Sequence, residues 1–158
     1  MEINKKNINK GYDKMLDKKM IINTLNKYNF DKSKYIVISG AAMVLLGIKE
    51  ETNDIDIATT KEYYDYLLNN YNCKLEFTNM NNINVYYIDN IINFSYDNYS
   101  NDYIIKNGIH TQTINDLLAF KRAYGRDKDK KDIELILKFQ SKNTKWKFCI
   151  FLFKMIEF

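Results

Sequence analysis

The chain has 158 residues, of which 46% are hydrophobic and 15% aromatic, and it carries a formal net charge of +4. This length allows one domain with a buried core and excludes two domains of ordinary size, while the apolar content excludes a disordered chain. The mild basic charge permits a nucleotide or nucleic-acid partner without requiring one, because lysines that solvate the surface are the simpler explanation.

Cysteine and histidine are scarce in this chain. Cys73 and Cys149 are far apart and outside any metal-ligand spacing, and His110 is the single histidine, so a site built from these ligands is excluded. No signal peptide is visible at the polar N-terminus, and the apolar run 148–153 is too short to cross a bilayer. We therefore expect a cytoplasmic protein without a membrane span.

The predicted elements begin after a polar arm, residues 1–12, and belong to a domain over 13–140. An amphipathic helix is predicted over 13–28, followed by a buried strand over 35–38. Ser39 and Gly40 open a turn of small residues, and a short helix follows. A strand, turn and helix in this order aim backbone N–H groups and the positive end of the helix dipole at one point, which favours a phosphate there.

The next strand carries two acidic side chains. Residues 54–57 alternate between aspartate and isoleucine, so Asp54 and Asp56 share one face of the strand. Adjacent carboxylates repel each other unless a cation lies between them, and oxygen ligands suit Mg²⁺. The pattern predicts a magnesium site.

A Ser39-Gly40 turn followed about a dozen residues later by Asp54-Ile55-Asp56 resembles the nucleotidyltransferase superfamily that has the DNA polymerase beta type of catalytic core. The chain is most similar to its small single-domain branches, which include lincosamide and aminoglycoside resistance enzymes and abortive-infection toxins. The resemblance implies an α/β (α+β) fold, in which helices pack mainly on one face of a mixed sheet. It also implies one or two Mg²⁺ ions, a nucleoside triphosphate substrate, and phosphate contacts from Ser39 and Gly40.

Downstream patterns predict a helix capped by Thr60, two strands, and a hairpin turn at Asp89-Asn90 that leads to a strand over 91–96. In the family a third carboxylate lies on this last strand, and the matching position is Asn93. An amide can ligate Mg²⁺ through one neutral oxygen, but it cannot accept a proton. Asp89 and Asp97 have the same parity and are candidates to replace the missing acid.

After a second hairpin at Asn107-Gly108, Thr113 begins a helix that ends at Gly125, and a last helix follows. This region resembles a family pattern, Leu-x-x-x-Lys then Arg-x-Lys-Asp-x-x-Asp, matched by Leu117, Lys121, Arg126, Lys128, Asp129 and Asp132. The resemblance implies that Lys121 contacts the triphosphate. Alternatively, the other charged residues form surface ion pairs between the two helices, which is the interpretation we favour for the two aspartates.

The aromatic tail, residues 141–158, would expose an apolar patch if nothing covered it. It is expected to pack over the last helix or to form a homodimer interface, with a membrane-surface role as a weaker alternative.

These patterns support three functional hypotheses. The first is a Mg²⁺-dependent nucleotidyltransferase that moves a nucleoside monophosphate from a triphosphate to a hydroxyl of tRNA, protein or a small drug. Asp54 and Asp56 would bind the metal, Asn93 would occupy the third catalytic position, and Ser39, Gly40 and Lys121 would bind the nucleotide. The second, favoured by Asn93, is a degenerate nucleotide- or metal-binding module, or a regulatory partner in a toxin–antitoxin system. The third is an interaction protein that associates through its tail.

Overall fold

The structure is a computed structural model that describes residues 15–156, apart from the side chains of 148, 149 and 151–156. The predicted polar arm therefore lies outside the described residues. The elements follow in chain order: β1 Leu16–Asp17, α1 Lys18–Tyr28, β2 Tyr35–Ile38, α2 Ser39–Leu45, β3 Glu51–Thr52, β4 Ile55–Thr59, α3 Lys61–Asn70, β5 Cys73–Thr78, β6 Asn84–Ile88, β7 Ile92–Ser95, β8 Tyr103–Lys106, β9 Ile109–Gln112, α4 Ile114–Tyr124 and α5 Asp127–Ile156.

Seven of these strands form one mixed sheet, in the order β5-β6-β7-β4-β2-β9-β8. Strand β2 runs parallel to β9 and β4 runs parallel to β7, whereas the other neighbours are antiparallel. The remaining two short strands, β1 and β3, pair with each other as a separate ribbon. This arrangement confirms the predicted α+β class with a mixed sheet.

The two faces of the sheet bury different amounts of apolar surface. Along β2, Tyr35 and Val37 join a large core with residues of the first three helices. Ile36 and Ile38 point the other way, into a small cluster against which Phe120 of α4 packs. Because strand side chains alternate, Ile55 and Ile57 of β4 also enter the large core, and their acidic neighbours face the opposite side.

Capping and turn residues set most of the boundaries. The Asp17 side chain accepts a hydrogen bond from the Met20 N–H, 2.8 Å away, so α1 begins at Lys18; the predicted start at residue 13 lies outside the described residues. The hairpin at Asp89-Asn90 is confirmed, with both residues at left-handed φ angles of 51° and 55°.

The tail continues α5 without interruption to Ile156, so the expectation that it folds back over the last helix is wrong. Its Trp146 and Ile150 are 70% and 47% exposed. Within the described part of the chain, no helix combines the length and apolarity that a membrane crossing requires. The homodimer interface remains a prediction.

Gly40 lies where β3 approaches the start of α2. A Cβ atom added at Gly40 would come within 2.6 Å of the Thr52 hydroxyl oxygen and 3.5 Å of its Cβ. We expect Gly40→Ala to destabilise the protein by about 1–3 kcal/mol, as overpacked cores do. Urea unfolding measures this loss. Adding Thr52→Ala removes the clashing oxygen, so a double-mutant cycle should show a favourable coupling energy, and strictly additive effects would contradict the clash.

Candidate active site

Three side chains converge on a cavity of about 300 Å³ on the face of the sheet opposite the large core: Asp54, Asp56 and Asn93. Strands β4 and β7 position them, because the parallel register places Asp56 directly beside Asn93. The Asn93 Nδ2 donates to Asp54 Oδ2 and to Asp56 Oδ1, each at 3.2 Å. The residues predicted as the catalytic set are therefore in mutual contact.

The surroundings of Asp56 disfavour the charged form of its carboxyl group. Burial raises the pKa of its carboxyl, and the neighbouring charge of Asp54 raises it further, to about 6. The Asn93 hydrogen bond and the positive charges of Lys128 and Lys121 oppose this increase. Two carboxylates held this close repel each other, so a cation bound between them would stabilise their charged forms, and the amide N–H group supplies only a partial positive charge.

The donor set fits a hard divalent cation. The Asn93 Oδ1 is buried and has no hydrogen-bond partner, and rotating this amide by half a turn would bring its oxygen towards the two carboxylates. Among the described residues, no group of three or more His, Cys, Asp or Glu side chains is arranged to hold a metal. Two carboxylates and one amide are nevertheless sufficient for Mg²⁺, which is commonly held by one or two carboxylates together with substrate phosphates.

The two aspartates considered as substitutes for a third acid lie elsewhere. Asp97 accepts hydrogen bonds from Asn79 and Asn81, both at 2.8 Å, and Asp89 contacts the hydroxyl of Tyr28. Neither aspartate lines the cavity.

The segment at Ser39 differs from the predicted open turn. Helix α2 begins at Ser39 itself, which has a φ of 56°, and includes Gly40 as its second residue. The Ser39 N–H, which we expected to be available to a phosphate, donates instead to Oε1 of Gln112 on β9 at 3.0 Å. Ser39 lines the cavity, but its own amide is already engaged.

Lys121 lies behind Ser39, on α4, and only 3% of its side chain is exposed. Its Nζ donates to the Ser39 Oγ at 3.2 Å and forms ion pairs with Asp129 at 3.2 Å and Asp132 at 2.8 Å. The two aspartates do form ion pairs between α4 and α5, but the prediction that these pairs lie on the surface is wrong, because both carboxylates are buried.

The wall of the cavity also contains Arg126 and Lys128, for which the sequence had left surface ion pairs open as an alternative. Arg126 donates through Nε to Asp129 at 2.6 Å, and its guanidinium lies 5.0 Å from the ring centre of Tyr124, another lining residue. The Arg-x-Lys spacing was the available signal. This spacing could not distinguish a solvated helix face from a cavity wall, because charged residues at the start of a helix occur in both.

Comparisons with known proteins agree with this geometry at the level of the family. Neither the curated proteins nor the solved structures provide a match. A family model described as "Nucleotidyltransferase of unknown function (DUF6036)" matches residues 14–141, which is most of the chain and includes the whole cavity. The chain therefore belongs to this nucleotidyltransferase family.

Proposed function

We propose that the protein is a Mg²⁺-dependent nucleotidyltransferase of the DNA polymerase beta-like type, which transfers a nucleoside monophosphate from a nucleoside triphosphate to a hydroxyl-bearing acceptor. One observation carries the proposal: Asp54, Asp56 and Asn93 meet in a cavity whose wall also contains Arg126 and Lys128. Membership of a nucleotidyltransferase family supports the same chemistry.

In the reaction the acceptor oxygen forms a bond to the α-phosphorus and the bond to the pyrophosphate oxygen breaks. The hydroxyl proton passes to solvent or to the departing pyrophosphate, since Asn93 has no proton-accepting group. Asp54 and Asp56 would hold Mg²⁺, which when bound neutralises phosphate charge and stabilises the attacking and leaving oxygens. With its amide rotated, Asn93 would contribute its neutral oxygen; in the observed orientation its amide nitrogen holds the two carboxylates side by side.

Labelled nucleoside triphosphates test this proposal directly. The full chain would be incubated with each triphosphate, Mg²⁺, and separate tRNA, protein and aminoglycoside or lincosamide acceptors. We expect label on one acceptor class and none with the double variant Asp54→Asn, Asp56→Asn. Transfer that survives in this variant would refute the mechanism. A variant with Asp65→Asn, an exposed aspartate of α3, serves as the control and should transfer normally.

The amide at position 93 favours one second candidate, a module that binds nucleotide or metal without turnover. Calorimetry would then detect triphosphate binding while no acceptor is labelled. Under this alternative, Asn93→Asp restores the missing carboxylate, and appearance of transfer in that variant would identify the native chain as a degenerate relative.

A further inference from the structure

Three cations near the junction of α4 and α5 have different surroundings: Lys121 lies in the last turn of α4, Arg126 between the helices, and Lys128 in the first turn of α5. Lys121 is buried, Arg126 is half-exposed, and Lys128 is exposed. Arg126 and Lys128 line the cavity, and Lys121 contacts Ser39, which also lines it. The N–H donors that are not already bound to protein acceptors determine which of these side chains is available to a phosphate.

The ammonium group of Lys121 is already held by three buried partners. An ammonium group has three N–H donors. Two of them donate to the Ser39 Oγ and Asp129 Oδ1, each at 3.2 Å, and the ammonium group also forms an ion pair with Asp132 Oδ2 at 2.8 Å. A phosphate would have to displace one of these buried partners, and a displaced carboxylate would lose the more deeply buried of its two countercharges.

Arg126 retains N–H donors that are available to a ligand. Its side chain uses Nε and Nη2 to bind Asp129, at 2.6 and 3.2 Å, out of the five N–H donors of a guanidinium. The side chain is 45% exposed and lines the cavity, so its remaining donors are accessible from that side.

Lys128 is the least occupied of the three. It lines the cavity, and in the described part of the chain no carboxylate lies within ion-pair distance of its ammonium group. Its charge nevertheless acts on Asp56, which places it on the metal-site side of α5. Lys130, two residues further on, faces outward and pairs with the exposed Asp127 at 3.2 Å.

We propose that Lys128 and Arg126 bind the phosphates of the substrate, and that Lys121 is a positioning residue that ties Ser39 to the start of α5. This inference rests on the proposed function, because it assigns the anion contacts of the same site. It replaces the expectation that Lys121 itself contacts the triphosphate.

Calorimetric titration of the full chain with inorganic tripolyphosphate and Mg²⁺ tests the phosphate contacts without any nucleobase or acceptor. We expect Lys128→Gln to raise the dissociation constant about tenfold with an unchanged melting temperature, since a charged contact to phosphate is lost. Lys128→Arg should keep most of the affinity. Lys130→Gln removes the same charge from the same helix, and it should change the constant less than twofold.

The double variant Lys121→Met, Asp132→Asn tests the role of Lys121. Its net charge is that of the native chain, and Asp129 remains paired with Arg126. We expect tripolyphosphate affinity within about threefold of the native value. In transfer assays kcat should fall and KM should remain unchanged, because Ser39 loses its hydrogen-bond donor. A tenfold loss of affinity here, with native affinity in Lys128→Gln, would identify Lys121 as the phosphate contact and overturn the proposal.

The outcomes separate this inference from the proposed function. Native tripolyphosphate affinity in Lys128→Gln overturns the assignment of the contacts, even if the native chain transfers nucleotides. Affinity lost in Lys128→Gln supports the assignment, even if no acceptor is ever labelled. If the native chain does not bind tripolyphosphate with Mg²⁺ at millimolar concentration, the inference is wrong irrespective of transfer.

Discussion

Replacement of Asp56 by asparagine should reduce nucleotidyl transfer by on the order of 10³-fold or more, without reducing the stability of the fold. A metal ion contributes several kcal/mol of transition-state stabilisation, and each 1.36 kcal/mol corresponds to a tenfold change in rate. Asparagine keeps an oxygen for the Asn93 hydrogen bond, but it removes the negative charge that burial and Asp54 disfavour, as the raised pKa of Asp56 indicates. The free energy of unfolding should therefore be unchanged or higher by about 1 kcal/mol.

Three measurements check this prediction: urea unfolding in metal-free buffer, transfer assays, and Mn²⁺ titration followed by electron paramagnetic resonance. The matched control is Asp65→Asn on α3, an exposed aspartate paired with Lys61, which should retain transfer and Mn²⁺ affinity. A loss of 2 kcal/mol or more in Asp56→Asn would show a structural role for the carboxylate, and normal Mn²⁺ binding would argue against a metal site at Asp56.

Lys121→Met should produce the largest loss of stability, about 3–5 kcal/mol, because it leaves buried carboxylates without their shared countercharge. Asp129 keeps Arg126 as a partner, and Asp132 keeps the partly exposed Lys49 at 3.3 Å. The side chains of the two aspartates are 0% and 8% exposed, so water cannot replace the lost ammonium group. Chemical denaturation monitored by circular dichroism measures the effect.

Two further variants separate the buried cluster from ordinary ion pairing. Lys61→Met breaks an exposed pair with Asp65 on α3 and should cost less than about 1 kcal/mol. Lys121→Met combined with Asp132→Asn should recover part of the loss, since one uncompensated charge is removed. If Lys121→Met costs no more than Lys61→Met, the cluster is not the buried network that the distances indicate.

Local patterns in the sequence were sufficient for much of the fold. The alternation in β2 and β4, the caps at Thr60 and Thr113, and the left-handed Gly125 all depend on residues a few positions apart. The contacts around Ser39 depend on distant parts of the chain. Gln112 and Lys121 are 73 and 82 residues away, and no local pattern indicates that they occupy the Ser39 amide and hydroxyl.

The candidate site also has features that the sequence could predict and features that it could not. The spacing from Ser39-Gly40 to Asp54 and Asp56 was enough to place the acidic pair near the start of a helix, and the parity of β7 was enough to place Asn93 beside them. Burial of Asp129 and the cavity-facing position of Lys128 could not be predicted, because an Arg-x-Lys-Asp-x-x-Asp sequence is compatible with both a solvated and a packed helix face.

The parallel pairing of β4 with β7 has an evolutionary consequence. Backbone hydrogen bonds hold the Cα atoms of Asp56 and Asn93 in register on adjacent strands, about 4.8 Å apart. Asparagine and aspartate have nearly the same shape, and their codons differ by a single base. Descendants or ancestors of this gene could therefore exchange a neutral group for an acid at position 93 in one step, without any rearrangement of the scaffold.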